Sequence, residues 1–139
     1  SSTVFPVVSS TNSESSVAIG HQANIGANCP TGLAIQGAII KDGVTDNSLS
    51  IAIGSGSSVN GGLANVALGP LAQAGGTSKF YDVALGNSFA NGSNSTAINI
   101  SNNTASYGAT AGSAIAIGNL AKASHTNSVA KALLITELA

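Results

Sequence analysis

The sequence predicts an all-β fold, a parallel β-solenoid of about eight coils, and three observations carry that expectation. A four-residue pattern, bulky–Ala–bulky–Gly, returns along the chain at an average spacing of 16 residues. Its alternation of large and small side chains has the period of a strand, in which successive residues face opposite sides. Large apolar residues are also scarce: Ala, Ser, Gly and Asn fill 75 of 139 positions, with no Met, no Trp and five aromatics. A thick core at crystal-like density needs large side chains, so the aliphatics must be buried in a thin layer or shared with other chains.

The tetrad first occurs as Val17-Ala18-Ile19-Gly20. It returns as Ile51-Ala52-Ile53-Gly54, Val66-Ala67-Leu68-Gly69, Val83-Ala84-Leu85-Gly86 and Ile115-Ala116-Ile117-Gly118. Looser copies are Leu33-Ala34-Ile35-Gln36, Thr96-Ala97-Ile98-Asn99 and Val129-Ala130-Lys131-Ala132, and steps between copies run from 13 to 19 residues. Gly20, Gly54, Gly69, Gly86 and Gly118 are expected to turn the chain. A weaker second segment follows many tetrads: Ala23 and Ile25, Ser57 and Val59, Ala72 and Ala74, Ala121 and Ala123. Each unit thus reads as strand, turn, short strand and loop. The loops carry Asn60-Gly61-Gly62, Gly75-Gly76 and Asn91-Gly92, turn chemistry that tolerates positive φ.

A period near 16 with two strands is too short for a propeller blade or a helical repeat. It fits one unit per coil, stacked at about 4.8 Å, so eight coils make a rod about 40 Å long. Residues 26–47 and 101–113 depart most from the repeat and are expected to bulge as loops. The chain divides into a lead-in (1–15), the repeats (16–132) and a C-terminal end (133–139).

Alternation puts the bulky pair of each tetrad on one face and Ala on the other. The expectation from sequence is that Val17, Ile19, Ile51, Ile53, Val66, Leu68, Val83, Leu85, Ile115 and Ile117 fill the coil interior. The Ala column is then left facing outward, and eight Ala in eight copies exceeds what 23 Ala in 139 residues would give. A small apolar residue at every copy implies close packing by a neighbour. Ala18, Ala34, Ala52, Ala67, Ala84, Ala97 and Ala116 are therefore the expected contact between copies of the chain about a symmetry axis.

The units "SVAIGHQA", "SIAIGSGS", "NVALGPLAQA", "DVALGNSFA" and "AIAIGNLAKAS" resemble the head repeats of trimeric autotransporter adhesins of the YadA type. The resemblance spans residues 16–132. It implies a left-handed parallel β-roll, a homotrimer, and display on the outer membrane of a Gram-negative bacterium. It also implies attachment to extracellular matrix such as collagen or fibronectin, to host cells and to other bacteria. The membrane anchor of such proteins is a separate C-terminal domain, expected to lie outside this sequence. No clear neck sequence or sustained heptad closes the chain.

The remaining chemistry points away from catalysis. Four Lys, no Arg and a net charge of −1 argue against a nucleic-acid partner. No apolar run approaches 18 residues. The single Cys29 allows no intrachain disulfide and reads as a small buried hydrophobe. Glu14, Asp42, Asp46, Asp82 and Glu137 are scattered, and Asp42 with Asp46 lacks the oxygen density of a calcium loop. His21 and His125 sit in loops without an orienting partner. No cofactor, metal or catalytic residue is expected. The period near 16 and the lack of a partner for either His disfavour a solenoid acyltransferase of the hexapeptide-repeat kind, kept as a less favoured alternative, and irregular Thr placement argues against an ice-binding array. A structural spacer, an autoagglutination segment or a phage fibre segment remain as alternatives.

Overall fold

The structure, a computed structural model, describes residues 7–8, 15–41 and 49–132. Short strands follow one another with no helix among these residues. In chain order they are β1 (Val7–Val8), β2 (Val17–Ile19), β3 (Asn24–Ile25), β4 (Leu33–Ile35), β5 (Ile39–Ile40), β6 (Ile51–Ile53), β7 (Ser58–Val59) and β8 (Val66–Leu68). There follow β9 (Gln73–Ala74), β10 (Val83–Leu85), β11 (Phe89–Ala90), β12 (Thr96–Ile98), β13 (Gly108–Ala109), β14 (Ile115–Ile117), β15 (Lys122–Ala123) and β16 (Val129–Lys131). Even-numbered strands form one eight-stranded parallel sheet and odd-numbered strands another. Successive coils therefore stack rung on rung, as a period of two strands per unit requires. Eight tetrad strands enclose about seven turns, one fewer than the coils counted from the repeats.

The pairing register follows the tetrads, including the looser copies. Ala18 pairs with Ala34, Ala84 with Ala97, and Ala116 with Ala130. Most of the lead-in, the loop carrying Asp42 and Asp46, Glu14, and the C-terminal end with Glu137 lie outside the described residues.

The faces of the tetrad are the reverse of the sequence expectation. Ala34, Ala52, Ala67, Ala84, Ala97 and Ala116 are wholly buried inside the coil, and Ala18 is partly buried against the same core. They have no surface to offer another chain. Val17, Ile19, Ile51, Ile53, Val66, Leu68, Val83, Leu85, Ile115 and Ile117 point outward, half-buried or exposed. The physical reason is the thinness of the coil. The large interior side chains come from the opposite sheet, as Ile25, Ile40 and Val59, and beside them only a methyl group fits on the tetrad strand.

The residue before each tetrad also faces inward, and its size complements the opposite strand. A Cβ on Gly32 would lie 3.1 Å from Ile40 Cδ1, which places the two columns face to face. Ser16, Gly32 and Ser50 share their coils with Ile25, Ile40 and Val59. The larger Asn65 and Asp82 share theirs with Ala74 and Ala90. In the next coil Ser95 and Ala109 are both small, and Ile100 and Tyr107 pack into that region. Close packing is kept by trading volume across the coil.

The same column supplies acceptors to the backbone. Gly32 N donates to Ser16 Oγ at 3.0 Å, and Asn65 N to Ser50 Oγ at 3.4 Å. Asp82 N donates to Asn65 Oδ1 at 2.8 Å, and Ser95 N to Asp82 Oδ1 at 2.9 Å. Four N–H groups of this column thus find a side chain one coil earlier, which avoids the cost of an unpaired buried donor, while those of Ala114 and Ser128 donate to the carbonyls of Ala111 and His125. Ser16, Ser50 and Asn65, which lead their tetrads, accept in this ladder.

Candidate interaction surface

Two residues before each tetrad the backbone is left-handed without exception. Ser15, Thr31, Leu49, Ala64, Tyr81, Asn94, Ser113 and Asn127 all have φ between 54° and 60°. This turn sets the corner at which the chain enters the tetrad sheet. At the far end of the strand Gly20, Gly54, Gly69, Gly86 and Gly118 also have positive φ. A Cβ on Gly54 would lie 2.9 Å from the carbonyl carbon of Gly69 one coil on, so this turn is also sterically closed to a side chain.

Between those corners lies the outward face of the even-numbered sheet, a ladder of Val, Ile and Leu running the length of the rod. Exposure is largest at the first and last rungs, 46% for Val17, 53% for Ile19 and 63% for Val129. Thr96 and Lys131 are the two positions where a polar side chain replaces a large apolar one. A contiguous apolar stripe of this kind marks an interaction surface in a soluble protein. Large apolar side chains also stand at the corners: Leu49 and Tyr81 before their tetrads, Leu71 and Leu120 after theirs. Sequence reading missed these four because they lie outside the tetrads. Their signal is a fixed offset from the repeat, at positions where glycine or asparagine would be expected.

The ionisable residues are not brought together. Cys29 is buried, its thiol donating to the carbonyls of Ala27 and Lys41 at 3.2 and 3.3 Å. His125 is exposed in the turn before the last tetrad, where its backbone carbonyl accepts the Ser128 hydroxyl at 2.5 Å. His21 lines an open polar hollow of about 210 Å³ with Gln22, Gln36, Gly37 and Ser55. Among the described residues no three of His, Cys, Asp and Glu form a metal-binding group.

Asp82 is the one acidic residue among the described residues. Its Oδ1 accepts the Ser95 hydroxyl at 2.6 Å and the Ser95 amide at 2.9 Å, while Oδ2 is buried without a hydrogen-bond partner. Burial pushes this carboxyl above the ordinary aspartate range; the Ser95 hydroxyl and amide, the Ser93 amide and the Lys79 charge oppose that shift.

Fold and surface together define the class: a parallel β-solenoid repeat module with one apolar face. Residues 109–130 match the family model of the YadA head domain repeat, in two copies. No curated protein and no solved structure matches the chain. Over that segment the chain is similar to the repeat of YadA-type heads, the kind of module carried by trimeric autotransporter adhesins. The register pairs described above extend the same rung from the matched segment back to Val17. Heads of this family are exposed on bacterial surfaces and are non-enzymatic in general.

Proposed function

We propose that this chain is the adhesive head of a homotrimeric surface fibre. Three left-handed rolls pack with their even-numbered sheets turned toward a common axis. The fibre is held on the outer membrane of a Gram-negative bacterium by an anchor in the rest of the protein. Its ligands are extracellular matrix proteins such as collagen or fibronectin, or host-cell receptors. One observation carries the reading: a chain poor in large apolar residues places fourteen of them on an outward ladder that its own fold leaves half-buried or exposed. A second and third copy cover that ladder, with the apolar columns, and not the Ala columns, as the contact.

The turns at the outer edges, more variable than the rungs, supply the surface available for recognition. Three identical rods present each weak contact three times, so attachment draws on avidity. The test is binding of the purified protein to immobilised collagen, fibronectin and cultured host cells. The intact protein binds at least one of them. Ile53→Thr with Leu68→Thr, placed on the apolar face, yields folded monomers with binding reduced at least tenfold. Failure of intact trimers on every surface would replace the adhesin reading with that of a structural spacer.

A further inference from the structure

A ring of three parallel copies cannot use one self-complementary patch. Cyclic trimers close through heterologous contacts, in which two different surfaces of each protomer meet. With the tetrad sheets facing the axis and all strands running the same way round it, the end of each strand abuts the start of the neighbour's strand. The two corners of the tetrad sheet must therefore be complementary. At the starting corner, Leu49, Ala64 and Tyr81 occupy the same column on three successive rungs, since Ile51, Val66 and Val83 pair in register. Ala64 is the small residue between two large ones, so the column has a notch one rung deep.

At the finishing corner of the same rung as Ala64 stands Leu71, which follows the tetrad of β8. Its Cδ2 would lie 2.9 Å from a Cβ on Gly56, so the side chain leans over the glycine of the preceding coil. Leu71 thus stands as a knob whose backbone is on the rung of the notch and whose side chain leans toward the rung of Leu49. The exposures are 61% for Leu49, 55% for Tyr81 and 48% for Leu71, and all three have positive φ, 59° for Tyr81 and 60° for both leucines. A left-handed backbone costs about 1–2 kcal/mol for a residue with a side chain. Within one chain these side chains recover little of that, because they are left in water.

We propose that Leu71 of one copy seats in the notch formed by Leu49, Ala64 and Tyr81 of the next, a knob-and-notch contact that fixes the axial alignment of three rods. The contact rests on the trimeric reading above and deepens it. A stack of identical rungs slips by one coil at little cost, because each rung meets a near-copy of itself. A single knob and a single notch break that degeneracy. Among the other rungs, Leu120 is the remaining large apolar residue at the finishing corner, and its own starting-corner column carries Asn94, Ser113 and Asn127. The lock therefore operates at the rung of β8 alone.

The experiment is disulfide trapping in the full chain. Ala64→Cys and Leu71→Cys lie at opposite ends of β8, beyond the roughly 7 Å between Cα atoms that one disulfide spans, so one chain cannot close that bond. Under mild oxidation the double variant runs as covalent dimers and trimers on a denaturing gel without reductant, while each single variant stays monomeric on the gel. Light scattering on the same samples reports assembly before denaturation. A trimer by scattering whose double variant does not cross-link, or whose single variants cross-link as readily, overturns the knob-and-notch contact and leaves the trimer standing. A monomer by scattering overturns the trimeric reading itself, and this contact with it.

Discussion

Ala84→Leu asks directly which way the tetrad faces. Ala84 is wholly buried, with Ala67 and Ala97 in register on the rungs either side, about 4.8 Å away. Leucine adds three carbons, which would stabilise by about 2.4 kcal/mol if an apolar space were waiting for them. No such space exists between the sheets at that point, where Asp82 and Ala90 of the same coil are also wholly buried. Overpacking of this kind costs about 1–3 kcal/mol per chain. Urea unfolding followed by far-ultraviolet circular dichroism, at fixed chain concentration, should show a lower midpoint with an unchanged slope. Val83→Ile, one residue away and directed outward, should move the midpoint by less than about 0.5 kcal/mol equivalent. An Ala84→Leu variant with a wild-type midpoint and lost assembly would refute the reasoning, since it would put the Ala column between chains.

Three further outcomes follow from the same geometry. Asp82→Asn replaces a buried carboxylate whose Oδ2 has no partner, and should stabilise at neutral pH by on the order of 1–3 kcal/mol. Because the folded pKa lies above 3.8, the carboxyl favours folding most below 3.8 and loses that contribution as pH rises through the folded value; the gap between variant and wild type should widen across that window, and a gap constant with pH would contradict it. Gly54→Ala forces a Cβ against Gly69 in a backbone at φ 116°, and should lower stability by about 1–3 kcal/mol, read as a lower thermal midpoint; an unchanged midpoint would count against the tight turn. Ser113→Gly relieves a left-handed residue on the surface, worth about 1–2 kcal/mol against about 0.5–1 kcal/mol of glycine entropy. Its urea midpoint should rise slightly, and a clear loss would show that Ser113 is not strained.

The solenoid was legible in the sequence because a strand's period and a coil's period are both written in it. Val17-Ala18-Ile19-Gly20 and its relatives give the rung, and even Thr96-Ala97-Ile98-Asn99 keeps register. What alternation alone does not give is the sign of the faces. Val17 and Ala18 must point oppositely, yet which is inside depends on the opposite strand, and Ile25, Ile40 and Val59 already fill that space. Their presence downstream of the first three tetrads, traded for Asn65 and Asp82 later on, was the available signal. Leu49, Leu71 and Tyr81 escaped notice for a different reason: their backbone conformation follows from the coil's corners, while their residue types favour other conformations.

The central claim is that the outward Val, Ile and Leu ladder is a contact between copies of this chain. Multi-angle light scattering of the purified protein at micromolar concentration tests it most directly. A mass of three times 13.4 kDa, falling to 13.4 kDa for Ile53→Thr with Leu68→Thr, is the predicted result. A stable wild-type species of 13.4 kDa, folded and soluble with that ladder in water, would contradict it.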